Sequence, residues 1–391
     1  MPKDQSATDF VLPAEGGSVG FLGISSQRRE GSRENTGNFL HGFAARYIVG
    51  QYQNISSDNL TEEMIEKYRA EMTHIAFVTA NGIRDGNDNI FDSSHKKMAD
   101  AIEKLNLPVV VFGLGAQAKL GQSFSDMDVS AETKRLLSVI SHYSPKIAVR
   151  GEFTADLCRR FGVHNVEVIG CQSCFISCRP DFKLPELEKT PHLSRMVVNV
   201  TSHTRELPLI TAAMSEGALY IGQTEHLEYE LVKLDEGIAI DDLPADVRSL
   251  LKPGLYKLFE SGRLDFKEFH RWVRNKFFQF YSMPPWFGKL SNAGLDASIG
   301  TRFHGNMAAM QSGVPSLWVV HDSRTQEFCD YHGLPQAPLK ALTEEKTVGD
   351  IFDKYYRTDR FAARYAEGYK RFYDYLNEHG VPHKLSAPMA N

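Results

Sequence analysis

The chain of 391 residues has few cysteines, no long apolar run and no large excess of either charge. Each shortage removes a class of function. The longest apolar stretches, such as Leu107 to Leu114, have the length of a strand and fall far short of the roughly 20 residues that cross a bilayer. Acidic residues outnumber basic ones by 49 to 44, so no global positive field marks a nucleic-acid binder. Five cysteines are an odd and small count for this length, which argues against a disulfide framework and for reduced thiols. Cys171, Cys174 and Cys178 have C-x2-C-x3-C spacing, but no further Cys or His follows at a suitable interval, so no metal is expected. The polar, acidic start from Met1 to Gly17 lacks the parts of a secretory signal, and a cytoplasmic location is expected.

Short apolar runs alternate with helical patterns, and no short repeat is visible, which points to parallel α/β architecture. A first series of strand-like runs contains Val19 to Ile24, His74 to Val78, Pro108 to Phe112, Lys146 to Val149 and Val166 to Ile169. A second contains Arg195 to Val200, Ala218 to Ile221, Leu295 to Ile299 and Ser316 to Val320. Two doubly wound domains facing a cleft are expected, at 1–180 and 195–345, with a Pro-containing linker at 181–194. A basic and aromatic helical insertion is expected around 240–287. There Arg263, Lys267, Arg271 and Arg274 form one stripe, and Phe266, Phe269, Val273, Phe277 and Phe280 another. This pattern suits either a core-packed helix or peripheral contact with the inner face of a membrane. The segment 346–391 should be helical and pack back on the domains, with Phe361, Tyr365, Tyr369 and Phe372 on one face.

The segment from Ser298 to Pro315 concentrates the chemistry. A strand leads through Thr301-Arg302-Phe303-His304-Gly305 into a helix rich in small residues. A helix N-terminus offers free backbone N–H groups, and an arginine before it adds a fork of donors for carboxylate or phosphate. His304 can give and take a proton near neutrality. Gly113 and Gly115 follow a buried strand but lack the completion of a dinucleotide fingerprint, so no nicotinamide cofactor is expected.

The R-x-H-G helix opening, followed by a small-residue helix and G-x-P, resembles the signature of the polysaccharide pyruvyl transferases. Asn35-Thr36-Gly37-Asn38 is similar to that family's N-x-G-[DN] loop, Gly113 to Gln117 to its G-x-G-x-Q loop, and Val149 to Thr154 to its V-R-[DG]-x-x-[ST] segment. Leu157 to Val163 matches its helix end. The resemblance implies two Rossmann-like domains in a GT-B-like arrangement. It also implies transfer of pyruvate from phosphoenolpyruvate onto two sugar hydroxyls as a ketal, without a cofactor, in cell-surface or exopolysaccharide synthesis. The acceptor would be a sugar or a lipid-linked oligosaccharide.

Carried over by position, His304 is the general acid, and Arg302 and Arg150 are donors to the carboxylate and phosphate. Gly305 would admit the anion to the backbone. Asn35, Gly37, Asn38, Gly115 and Gln117 would contact substrate, as would Arg324 and Gln223, which follow strands of the second domain. The chain departs from the family where Cys171-Gln172-Ser173-Cys174 replaces a frequent Asp-Pro. A glycosyltransferase that uses a nucleotide sugar, or a binding protein without activity, are the competing readings of these residues.

Overall fold

The computed structural model describes residues 10–86, 89–118 and 121–389, so the first nine residues of the acidic start lie outside it. Among the described residues eight strands precede the linker: β1 (Val19–Gly23), β2 (Tyr52–Asn54), β3 (His74–Val78), β4 (Ile83–Arg84), β5 (Val109–Phe112), β6 (Ala116–Gln117), β7 (Ile147–Val149) and β8 (Val166–Val168). Six follow it: β9 (Met196–Asn199), β10 (Leu219–Gly222), β11 (Phe277–Gln279), β12 (Ala297–Gly300), β13 (Ser316–Val320) and β14 (Gln336–Pro338).

The first sheet runs β2-β1-β3-β5. A bridge from Leu114 to Val149 carries it on to the parallel pair β7-β8. The second sheet runs β11-β10-β9-β12-β13-β14, and its pairings are parallel. Helices cover both faces, which is why strands such as β5 and β13 are apolar at nearly every position and buried throughout. Chain order reverses between β1 and β3 in the first sheet and between β9 and β12 in the second. Crevices beyond the carboxyl ends of strands at such switch points are where doubly wound sheets bind ligands.

Part of the expected insertion at 240–287 belongs to the second sheet itself. The helix Phe266–Lys276 leads directly into β11, which pairs with β10 and forms the edge of the second sheet. The apolar stripe of this helix is core: Phe266, Phe269, Trp272 and Val273 are buried. Trp272 stacks on Tyr220 at 5.1 Å and donates its indole N–H to the Ala218 carbonyl at 2.8 Å. Arg263, Lys267 and Arg271 face outward, and Arg271 meets Glu236 and Glu268. The expected membrane contact thus loses its basis, because the apolar face is already covered by the sheet. Among the described residues no helix is long and apolar enough to cross a membrane.

The tail forms two helices, Val348–Tyr355 and Phe361–Glu378, separated by a short break. The first packs in the core of the second domain through Ile351 and Phe352. The second returns to the first domain, where Phe361, Tyr365, Tyr369 and Phe372 join Phe112 and Phe175 in one buried cluster. Tyr375 completes the docking. Its hydroxyl accepts from the Val111 N–H and donates to the Val111 carbonyl, each at 3.0 Å. Tyr375→Phe leaves both main-chain groups without that partner and is expected to cost about 1–3 kcal/mol. Urea unfolding should report this as a lower midpoint at unchanged slope.

Candidate active site

The wall contributed by the second domain is built on the β9/β12 switch point. Asn199, at the end of β9, accepts from the Arg302 backbone N–H at 3.1 Å and donates to Asn306 at 2.8 Å. Asn306 in turn donates to the carbonyls of Gly300 and Leu317. This buried amide pair locks the end of one strand to the start of the helix Phe303–Gln311 on the next. That helix is buried from His304 to Gln311 and packs against the helix Gly37–Val49 of the first domain. Its small residues serve this close packing between domains.

Arg302 is the residue before the helix. Its Nε donates to the Val200 carbonyl at 2.9 Å and its Nη2 to the Thr224 hydroxyl at 2.5 Å. Nη2 also forms an ion pair with Glu225, which is fully buried. Burial would push the Glu225 carboxyl up, but Arg302 and the backbone N–H groups of Gln223 and Thr224 outweigh it and hold it below the usual carboxylate range. Arg302, expected as an anion donor, thus already has a carboxylate partner. The arginine faces the cleft with its charge already balanced and two of its nitrogens engaged.

The wall contributed by the first domain holds Arg150 and His41. Arg150 follows β7 and is 2% exposed. Its Nε donates to the Gly113 carbonyl at 2.8 Å, Nη1 to Asn81 at 3.2 Å and Nη2 to Nδ1 of His41 at 3.4 Å. From the other domain, Phe328 places its ring 4.8 Å from the guanidinium. Nε2 of His41 lies 3.1 Å from the Thr79 carbonyl. A carbonyl only accepts, so Nε2 carries the hydrogen and Nδ1 is the acceptor that faces Arg150.

The glycine pair after β5 makes room for these two side chains. A Cβ on Gly113, whose φ is +63°, would stand 2.5 Å from His41 Cε1. One on Gly115 would stand 2.7 Å from Arg150 Cδ. Gly115 thus lies behind the arginine.

His304, Arg302, Arg150, Asn35, Asn38, Gln223 and Arg324 line one cavity between the domains. Gly37 and Gly305 serve Gln223, whose side chain passes between them. A Cβ on Gly37 would lie 1.8 Å from Gln223 Oε1, and one on Gly305 would lie 2.8 Å from its Nε2. That close approach requires glycine at 305. Gln223 Nε2 is buried without a hydrogen-bond partner among the described residues. Gln117 is exposed on the short β4–β6 pair and does not line the cavity. Asn81, Thr201, Thr301 and Phe328 also line it and carry no sequence signal of their own. His41 sits behind it, in a helix whose neighbours Phe39, Leu40 and Phe43 make it look like any core histidine.

Charge is distributed unevenly among the three arginines. Arg302 is paired with Glu225, and Arg324 with Asp322 at 2.8 Å. Arg150 has no ion pair among the described residues, and burial pulls its guanidinium down to about 10. Burial, then Arg150, then Arg324 hold His304 well below the usual histidine range. His41 is lowered by burial, Arg150 and His304.

Glu327, on the helix Ser323–His332, reaches across to the first domain and accepts from the Phe153 N–H at 2.7 Å, at the start of the helix Glu152–Arg160. Burial pushes its carboxyl up to about 7 against the pull of that N–H and of Arg150. Its folded value thus lies above the unfolded 4.5. The folded state then holds a proton that the unfolded state has lost, so this group's stabilisation is complete below pH 4.5 and fades as pH rises to 7. Across that window Glu327→Gln should gain up to about 3 kcal/mol relative to the native chain. Paired urea titrations at several pH values measure the difference, and a flat one would show that Glu327 ionises normally.

Two Rossmann-like domains that close on a cationic cleft define a GT-B-like α/β protein. Within that class the chain belongs to the polysaccharide pyruvyl transferase family, whose model matches residues 35–323. No curated protein matches it in sequence. Solved structures that are similar include the UDP-GlcNAc 2-epimerase of Methanocaldococcus jannaschii, at 11% identity and TM-score 0.40, covering 91% of this chain and 99% of that one. The UDP-N-acetylglucosamine 2-epimerase from Rickettsia bellii has 12% identity and TM-score 0.38, covering 92% and 97%. The wall teichoic acid polymerase TagF has 10% identity and TM-score 0.36, covering 91% and 82%.

Proposed function

We propose that the protein transfers pyruvate from phosphoenolpyruvate to two hydroxyls of a sugar, forming a cyclic ketal. Arg150 carries this reading: a guanidinium that is buried, has no ion pair among the described residues and stands at a cleft edged by His304. An uncompensated buried cation is costly, and a small polyanion relieves it. The carboxylate and phosphate of the donor would meet Arg150, Arg324 and the start of the helix Phe303–Gln311, with Gln223 Nε2 as a further donor.

His304 is neutral in the free protein because burial and the two arginines disfavour its charge. A bound polyanion offsets both arginines and favours the protonated ring. His304 then gives its proton to the methylene carbon of the enol, which becomes a methyl group, and the neighbouring carbon becomes electrophilic. One sugar hydroxyl forms a bond to that carbon, and the carbon–oxygen bond to phosphate breaks. The second hydroxyl closes the ring. Of the two hydroxyl protons, one restores His304 and the other leaves with phosphate. No electron is transferred.

The test is phosphate release from phosphoenolpyruvate by the purified chain against a panel of sugars and lipid-linked oligosaccharides, with mass analysis of the acceptor. Release that depends on acceptor, with a carboxyethylidene gain in mass, is the expected result. Failure to bind the donor or to modify any acceptor overturns it, and nucleoside diphosphate release from a nucleotide sugar would replace it with glycosyl transfer.

A further inference from the structure

We infer that His41, Cys171 and His304 form a binding site for a thiophilic divalent cation of the Zn2+ type at the foot of the cleft. One ring nitrogen of each histidine and the Cys171 Sγ all lie within 4.8 Å of one another, and all three residues are buried. They come from the helix Gly37–Val49, the turn after β8 and the helix Phe303–Gln311. Cys174 and Cys178, the other members of the sequence cluster, are not part of the group.

The spacing is that of a coordination shell. Sγ lies 3.4 Å from His41 Nδ1 and 3.9 Å from His304 Nε2. Bonds to zinc of about 2.0 Å from nitrogen and about 2.3 Å from sulfur, set at tetrahedral angles, place those atoms roughly 3.6 Å apart. These two nitrogen–sulfur edges bracket that value, and the two imidazole nitrogens, which lie within 4.8 Å of each other, would close to roughly 3.3 Å on binding.

The Nε2–H of His41 donates to the Thr79 carbonyl, the outer contact that orients most metal-binding imidazoles. It leaves Nδ1 without a hydrogen, 3.4 Å from Cys171 Sγ and also 3.4 Å from Arg150 Nη2. A fourth position would open on the cavity that His304 lines, as in zinc sites with three protein ligands.

Arg150 sets the selectivity. Its Nη2 is 3.4 Å from His41 Nδ1 and opposes a cation there, while Gly113 and Asn81 retain its other nitrogens. Ions held by charge alone, such as Mg2+, are rejected, and only those that gain from a bond to sulfur overcome the repulsion. On binding, the Cys171 S–H bond breaks, the proton goes to water and a metal–sulfur bond forms, with no change of oxidation state. The cation would also withdraw Nε2 of His304 from proton exchange and so inhibit transfer. That consequence rests on the proposed role of His304; the site does not.

Co2+ added to the whole chelator-treated chain is the probe. One equivalent should produce a thiolate-to-cobalt charge-transfer band that Zn2+ displaces and Mg2+ does not. Cys171→Ser should abolish the band, His41→Asn should weaken Co2+ binding by at least about tenfold, and Cys174→Ser should leave it intact, each with circular dichroism confirming the fold. No band in folded protein at saturating Co2+, or a band that survives Cys171→Ser, overturns the site. Bound Zn2+ with undiminished phosphate release would overturn the inhibition and the role of His304 while the site stands.

Discussion

His304→Gln is expected to slow pyruvyl transfer by about 10²–10⁴-fold, the usual contribution of a positioned general acid, while donor affinity changes little. Glutamine keeps a polar side chain of similar length at the helix start, so the packing of Phe303–Gln311 against Gly37–Val49 should survive. It has no proton to give at neutral pH. On the proposed reading, binding of the donor rests on Arg150, Arg324 and the helix N-terminus, none of which the change removes. Single-turnover measurement of phosphate release, with donor binding by calorimetry, separates the two effects. An unchanged rate would move the acid elsewhere, and His41, whose ring centroid lies 5.8 Å from that of His304, would be the first candidate.

Arg150→Gln should divide stability from activity. In the free protein Arg150 is a buried charge with no ion pair among the described residues, so its removal is expected to leave thermal stability unchanged or raise it. A neutral amide can still donate to the Gly113 carbonyl, where Nε of Arg150 donates at 2.8 Å. The donor substrate, by contrast, loses its unshared cation in a place sheltered from water, and kcat/KM should fall by about 10²–10³-fold. A melting curve and a steady-state titration measure both. A large loss of stability would mean that Arg150 is a structural cation whose partner is the protein itself.

These two residues were legible in the sequence for the same reason. Arg302, His304 and Gly305 stand between a strand and a helix, where local spacing alone predicts an exposed backbone and converging side chains. Arg150 stands at the end of β7 in the same kind of position. Asn35, Asn38, Gln223 and Arg324 also follow strands, and all of them reach the cavity. Gln117 follows a strand too, yet β6 pairs with β4 and turns its side chain outward. His41 was beyond reach because it lies among apolar residues whose pattern says only that it is buried, and Cys171 stood out by its spacing to Cys174 and Cys178, which are not its neighbours in the group with His41 and His304.

The apolar runs, their parallel order and the glycine-bounded turns follow from the sequence alone, because strand and helix periods are local properties. So does the presence of arginines and a histidine where strands end. Which arginine is free is a tertiary fact. Arg302 finds Glu225 at a separation of 77 residues, and Arg150 meets the helix bearing Phe328 only once the second domain has closed over it. Electrostatic energy depends on distance and burial, and neither is fixed until the chain has folded. The same closure brings His41, Cys171 and His304 from three distant segments to within 4.8 Å, a juxtaposition that no spacing along the chain encodes.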